Sequence, residues 1–156
     1  MDKIPIIPFE ALVSGQAASL VTSTAYDQQL PLESLETGNQ PRQSNAMGAY
    51  VQPTMPSNPR VLAYTKRLAT ELGLETNPID GLASLLSGSG ILQGTQPFAM
   101  NYAGHQFGHW AGQLGDGRAI NLFELETPIG RRSFQLKGAG PTPFSRGGDG
   151  LSLIHI

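Results

Sequence analysis

The sequence predicts an α+β fold in which a helical segment precedes an antiparallel hairpin set between glycine-rich loops. Three observations carry that expectation. Val61, Leu62, Thr65, Leu68, Ala69 and Leu72 recur at i, i+3, i+4 spacing, the period of a helix with one buried side. Two runs of strand composition, 119–125 and 133–137, are separated by Thr127-Pro128-Ile129-Gly130, which has turn chemistry. Eleven of the 19 glycines fall within residues 104–150, on both flanks of those runs.

The elements follow in chain order. Residues 1–56 mix short apolar pieces with Gln, Ser, Asn and Pro and keep no steady period, so they read as an N-terminal arm or loop region. Ser57 or Asn58 caps the first helix, Pro59 suits its first turn, and Gly73 ends it as a C′ residue. A shorter helix begins at Asp80, uses Leu82, Leu85 and Leu86, and is stopped by Gly88 and Gly90. Both helices read as packing elements. Ala119–Leu125 and Ser133–Lys137 then form the hairpin. At 156 residues, 39% of them hydrophobic, the chain is one ordinary domain at most, and a core is within its reach.

Charge and composition exclude several function classes. Ten basic against twelve acidic residues, a net charge of −2, do not fit a sequence-independent nucleic-acid binder. Without cysteine there is no disulfide, thiolate zinc site or cysteine nucleophile. Lys3 is the sole positive charge near the N-terminus, and Pro5, Pro8 and Glu10 break its apolar stretch, which makes a poor signal or transit peptide. No run approaches the roughly 18 apolar residues of a membrane span. A soluble, cytoplasmic protein with neither nucleic-acid nor membrane partner is expected.

The chemistry is expected in the glycine-rich half. Gly112 to Arg118 reads GQLGDGR and precedes a strand, not a helix. That order excludes a Walker loop and a dinucleotide fingerprint, whose strings are also absent. A glycine-rich turn leading into a hairpin whose second strand ends in Lys137 is instead the layout by which protein-kinase-like folds cover a nucleotide and place a strand lysine on its phosphates. Two readings stay open: loop amides and Lys137 on phosphate, or a plain turn with a solvated lysine. The loop 138–150 carries Arg146 and Asp149 among glycines. It fits an anion wrap, with Asp149 on a ribose or adenine donor, a backbone amide or Arg146, and equally a mobile connection. His105 and His109 have the i, i+4 spacing of a helical zinc pair, but Gly104 and Gly108 oppose a helix and no third ligand follows. Ser145, His105 and Asp149 form a triad only on paper. Phe107 and Trp110 are expected in the core.

Two strings carry a resemblance: YAGHQFGHWAGQLGDGRA, Tyr102 to Ala119, and FQLKGAGPTPFSRGGDG, Phe134 to Gly150. Together, and with Tyr50 to Leu74 upstream, they resemble the selenoprotein O (SelO, YdiU) family across residues 25–150. The resemblance implies a partial protein-kinase-like (pseudokinase) N-terminal lobe and a protein adenylyltransferase that moves AMP from ATP, with magnesium, onto hydroxyl side chains of other proteins. It implies nucleotide contacts at Gly115, Gly117, Arg118, Lys137, Asp149 and Gly150. It also implies that the catalytic aspartate and the magnesium ligands lie outside this sequence, so no catalytic or metal residue is expected here.

Two departures stand out. Leu122-Phe123-Glu124 replaces the family's Leu-Gly-Glu, and after Gly150 the chain reads LSLIHI where the family continues with an arginine and a helix. The expected organisation is therefore an arm over 1–56, a partial kinase-like lobe with nucleotide loops over 57–150, and a non-native tail over 151–156. The expected function is that of an N-terminal ATP-binding fragment of an adenylyltransferase, inactive by itself. A kinase-like phosphotransferase and a non-catalytic nucleotide-binding module share the same loops and stay as alternatives.

Overall fold

The centre of the sheet is a strand pair whose side chains separate by face. The computed structural model describes residues 21–22, 28–74, 79–90, 92 and 94–151. In it β7 (Ala119–Thr127) and β8 (Gly130–Lys137) pair antiparallel along their whole length. Opposed residues share a face, so Ile120–Leu136 and Phe123–Phe134 lie on one side and Asn121–Gln135, Glu124–Ser133 and Glu126–Arg131 on the other. The Phe123 and Phe134 rings stack with centroids 4.8 Å apart. A bulge at Leu122 shifts the register between Asn121 and Phe123. This is the expected hairpin, with strands that reach closer to the turn than composition suggested.

The other edge of β7 is shared. β1 (Val21–Thr22) pairs antiparallel with Leu125 and Glu124, and β4 (Phe98–Met100) pairs antiparallel at Asn121. β3 (Gly48–Tyr50) follows antiparallel to β4, and β2 (Leu32–Glu33) is parallel to β3. The result is a mixed α/β protein with a six-stranded sheet and few helices, consistent with a kinase-like fold. Ala49, Val51, Ala99, Ile120, Phe123, Leu125 and Phe144 form its core with Leu85, Leu92 and Leu122.

The segment expected as an arm thus supplies three strands of the main sheet, and Ala49 is fully buried. Strands of two and three residues leave no period to read. Side-chain bonds hold the segment instead. Arg42 pairs with Glu33 at 2.5 Å and donates to the carbonyls of Thr37, Gly38 and Gln40. The Ser44 hydroxyl, opposed by the cost of burial and aided by Arg42, holds the Glu33 carboxyl below its ordinary pKa. Asn101 donates to the carbonyls of Ser44 and Ala46.

The first helix is shorter than its periodicity predicts. α1 spans Lys66–Glu71, and residues 59–65 are not helical. The stripe has little to bury against: Leu62 is 86% exposed and Leu68 is half exposed, while Ala69 and Leu72 are buried. The end is as expected. Gly73 at φ +69° donates to the Thr70 carbonyl and Leu74 to that of Ala69, the two bonds of a Schellman motif. α2 spans Ile79–Leu86, with Ala83 and Leu85 buried and Gly88 beyond its end at φ +77°. The side chains of Asp80 and Leu82, the N-terminal residues 1–20 and the tail residues 152–156 lie outside the described ones.

A second hairpin stands apart from the sheet. β5 (Ala103–Gln106) and β6 (His109–Gln113) pair across Phe107-Gly108, both at positive φ (+51° and +79°). That backbone is a type I′ turn, the form that matches strand twist. Phe107 is 98% exposed and Trp110 64%, so neither is in the core. The expectation failed because both rings lie on a two-stranded unit apart from the main sheet and are left exposed among the described residues. Among the described residues no helix is long and apolar enough to cross a membrane.

Candidate functional site

All six residues singled out for nucleotide contact line one cleft. Its volume is about 830 Å³, and Gly115, Gly117, Arg118, Lys137, Asp149 and Gly150 share its wall with Tyr102, Gln106, Asp116, Gln135, Phe144, Ser145 and Arg146. The β4–β7 junction and the end of β8 bring them together. The loop after β6 enters β7 at Ala119, directly opposite Lys137, and Gly138 donates back to the Arg118 carbonyl at 2.8 Å. The second loop then folds over the first.

The glycines are required by contact within the protein. Gly115 sits at φ +116°, and a Cβ there would lie 2.7 Å from the Met100 oxygen and 2.8 Å from the Phe144 Cβ. At Gly117 a Cβ would lie 3.1 Å from the Phe144 oxygen. Gly150, at φ +69°, lies against the Gly140 carbonyl, and its own carbonyl accepts the Gly140 N–H at 3.1 Å. The amides expected to cradle phosphate are partly in use: Asp116 N–H donates to the Met100 carbonyl and Gly117 N–H to the Gly115 carbonyl, each at 2.9 Å. The GDG turn therefore offers fewer amides than its composition suggested, and cationic side chains are the larger positive resource of the cleft.

Three such cations face it. Lys137 is exposed and makes no ion pair among the described residues. Arg118 lies in the same wall. Arg146 reaches across to β5 and donates to Gln106 Oε1 at 2.8 Å. Asp149, for which three partners were open, accepts the Leu151 N–H at 3.0 Å, the backbone-amide alternative.

Sequence reasoning passed over Asp116 and Thr142, and weighed Ser145 only for a triad. Thr142 Oγ1 donates to the Asp116 carbonyl at 2.6 Å, and the Ser145 hydroxyl donates to the Gly117 carbonyl while accepting the Thr142 N–H at 2.9 Å. Both hydroxyls are buried, and they bind the two loops into one wall. Their signal in the sequence was a Thr and a Ser flanking Pro143-Phe144. Burial pushes the Asp116 carboxyl above its ordinary pKa, against the stabilising Met100 N–H and Asn121 amide. Burial, with the Asp116 charge nearby, also raises the Tyr102 phenol.

The histidines do other work. His105 and His109 lie on opposite strands of the second hairpin, and His105 meets Trp110 edge-on at 5.2 Å. With its hydroxyl engaged by the two loops, Ser145 is no nucleophile in a triad. Among the described residues no three His, Asp or Glu side chains converge.

The family described as "Protein adenylyltransferase SelO" matches residues 35–155. A "Protein nucleotidyltransferase YdiU" of Flavobacterium johnsoniae is 44% identical over 139 residues, 88% of this chain and 27% of the relative. Proteins of the same name from Xanthomonas euvesicatoria pv. vesicatoria and Xanthomonas campestris pv. campestris are each 48% identical, over 82% and 77% of this chain. The chain spans about a quarter of the length of these relatives.

Proposed function

The chain belongs to the SelO family of protein adenylyltransferases, and from that premise we propose that its cleft binds the polyphosphate of ATP. The observation that carries this reading is the convergence of Gly115, Gly117, Arg118, Lys137, Asp149 and Gly150 on one cleft of nucleotide-accommodating size, about 830 Å³. Lys137 supplies a point charge at the end of a rigid strand, and Arg118 a planar fork suited to phosphate oxygens. Stabilising charge is the main task of a protein in phosphoryl-type transfer, and Lys137 at the end of β8 with Arg118 in the loop that enters β7 would supply it. The sheet and its glycine-bearing loops then correspond to the small lobe of a kinase-like (pseudokinase) fold.

The activity proposed for the full-length protein is transfer of AMP from ATP to hydroxyl side chains of proteins. Magnesium would supply further charge neutralisation on the phosphates. No donor set for it converges among the described residues. No residue of this chain is assigned as general base, and the chain by itself is expected to bind ATP without transferring AMP.

The test has two arms. Equilibrium binding of ATP to the 156-residue chain should saturate, and Lys137→Ala should weaken it about tenfold, the loss of one charge-assisted contact. The full-length protein, given ATP labelled at the α or the γ position, should label a protein acceptor only from the α position. Label from the γ position alone overturns adenylylation, and absence of ATP binding overturns the reading of the cleft.

A further inference from the structure

Two carboxylates, Asp116 and Asp149, share the wall of the cleft with its cations, and the structure shows how the first is held. Asp116 Oδ2 accepts the Met100 N–H at 3.1 Å and lies 3.4 Å from Asn121 Nδ2. Asp116 also donates its own N–H to the Met100 carbonyl at 2.9 Å, so it grips both polar backbone groups of the last residue of β4. The same Asn121 amide donates to the Phe98 carbonyl at 3.2 Å, and its oxygen accepts from Gln135 at 3.2 Å. On the other side, the Asp116 carbonyl receives the buried Thr142 hydroxyl. β4, β7, the first loop and the second loop therefore all meet at this one residue.

We infer that Asp116 is a positioning residue, which sets the place of Arg118 and of the second loop through its hydrogen bonds and not through its negative charge. The inference rests on the reading of the cleft as an ATP site. Asp116 Oδ2 is spent on the Met100 N–H and the Asn121 amide, and a carboxylate by itself repels a polyphosphate. Burial also disfavours the charged form, in agreement with a geometric role. The bond that matters, Met100 N–H to a side-chain oxygen, needs only an acceptor, which an asparagine amide supplies.

The experiment measures ATP binding by calorimetry on the full 156-residue chain and on two variants, with far-ultraviolet circular dichroism to verify folding. Asp116→Asn should stay within about threefold of the unsubstituted affinity, and Asp116→Ala should lose about tenfold or more. Equal loss in both variants overturns the inference in favour of a charge-based role, and unchanged affinity in Asp116→Ala overturns it outright. If Asp116→Ala does not fold, Asn121→Ala replaces it, removing the anchoring amide while leaving Asp116 in place. A loss of about three- to tenfold then supports positioning, and no loss overturns it. Failure of the unsubstituted chain to bind ATP sinks the cleft reading itself, and with it this inference; any of the variant outcomes above leaves that reading standing.

Discussion

The two hairpins share a local plan and differ in what covers them. Each joins antiparallel strands through a two-residue connection, Pro128-Ile129 in β7–β8 and Phe107-Gly108 in β5–β6. In the first, Ile120, Phe123 and Leu125 are at most 2% exposed. In the second, Phe107 and Trp110 face outward. Turn chemistry thus decides where a hairpin forms, while the neighbouring elements decide what its side chains are worth. The buried hairpin anchors the core and carries Lys137 at its end; the exposed one lends Gln106 to the rim of the cleft and little to the core.

That comparison breaks most sharply at Phe123. Phe123→Ala should cost about 3–5 kcal/mol of unfolding free energy, read by urea titration, since it removes a stacked ring from a packed core. A loss under about 1 kcal/mol would mean that β7–β8 is not the anchor described. Lys137→Ala, at the exposed end of the same hairpin, should weaken ATP binding about tenfold while leaving the urea midpoint within error. A shifted midpoint would assign the lysine to stability. On the other hairpin, Phe107→Asn suits the turn to its left-handed backbone and should raise stability by about 0.5–1 kcal/mol. A loss at this position would show that the exposed ring makes a stabilising contact. Trp110→Ala should change stability by less than about 0.5 kcal/mol, and a larger cost would place the β5–β6 hairpin among the anchoring elements.

The same contrast explains what could be read in advance. β7 and β8 were legible because Thr127-Pro128-Ile129-Gly130 separates runs of strand composition, and the bulge at Leu122 does not disturb the pattern enough to hide it. The six cleft residues were legible as two strings, and the topology brought them to one wall because β8 runs antiparallel to β7 and returns Lys137 to the loop that precedes Ala119. β2 and β3 were not legible, since their register depends on Arg42, Gln113 and Asn101, whose partners are up to 71 residues away. The first helix was overread: spacing alone counted Leu62 as buried, and only the surroundings could reveal it as exposed. The hydroxyls of Thr142 and Ser145 were missed because a hydrogen bond to a carbonyl 26 or 28 residues away leaves no periodic trace.

Trp110 is the single tryptophan of the sequence, and it stands on the hairpin that carries least of the fold. Its emission should therefore already lie near the solvent-exposed limit in the native protein. An unfolding curve followed at that wavelength would have a small amplitude and would report hairpin opening, whereas circular dichroism would report the sheet. Coincident curves would show that the hairpin and the sheet melt as one cooperative unit, and an earlier optical transition would separate them. The protein thus carries a built-in spectroscopic label on β6, the strand paired with the one that lends Gln106 to the cleft.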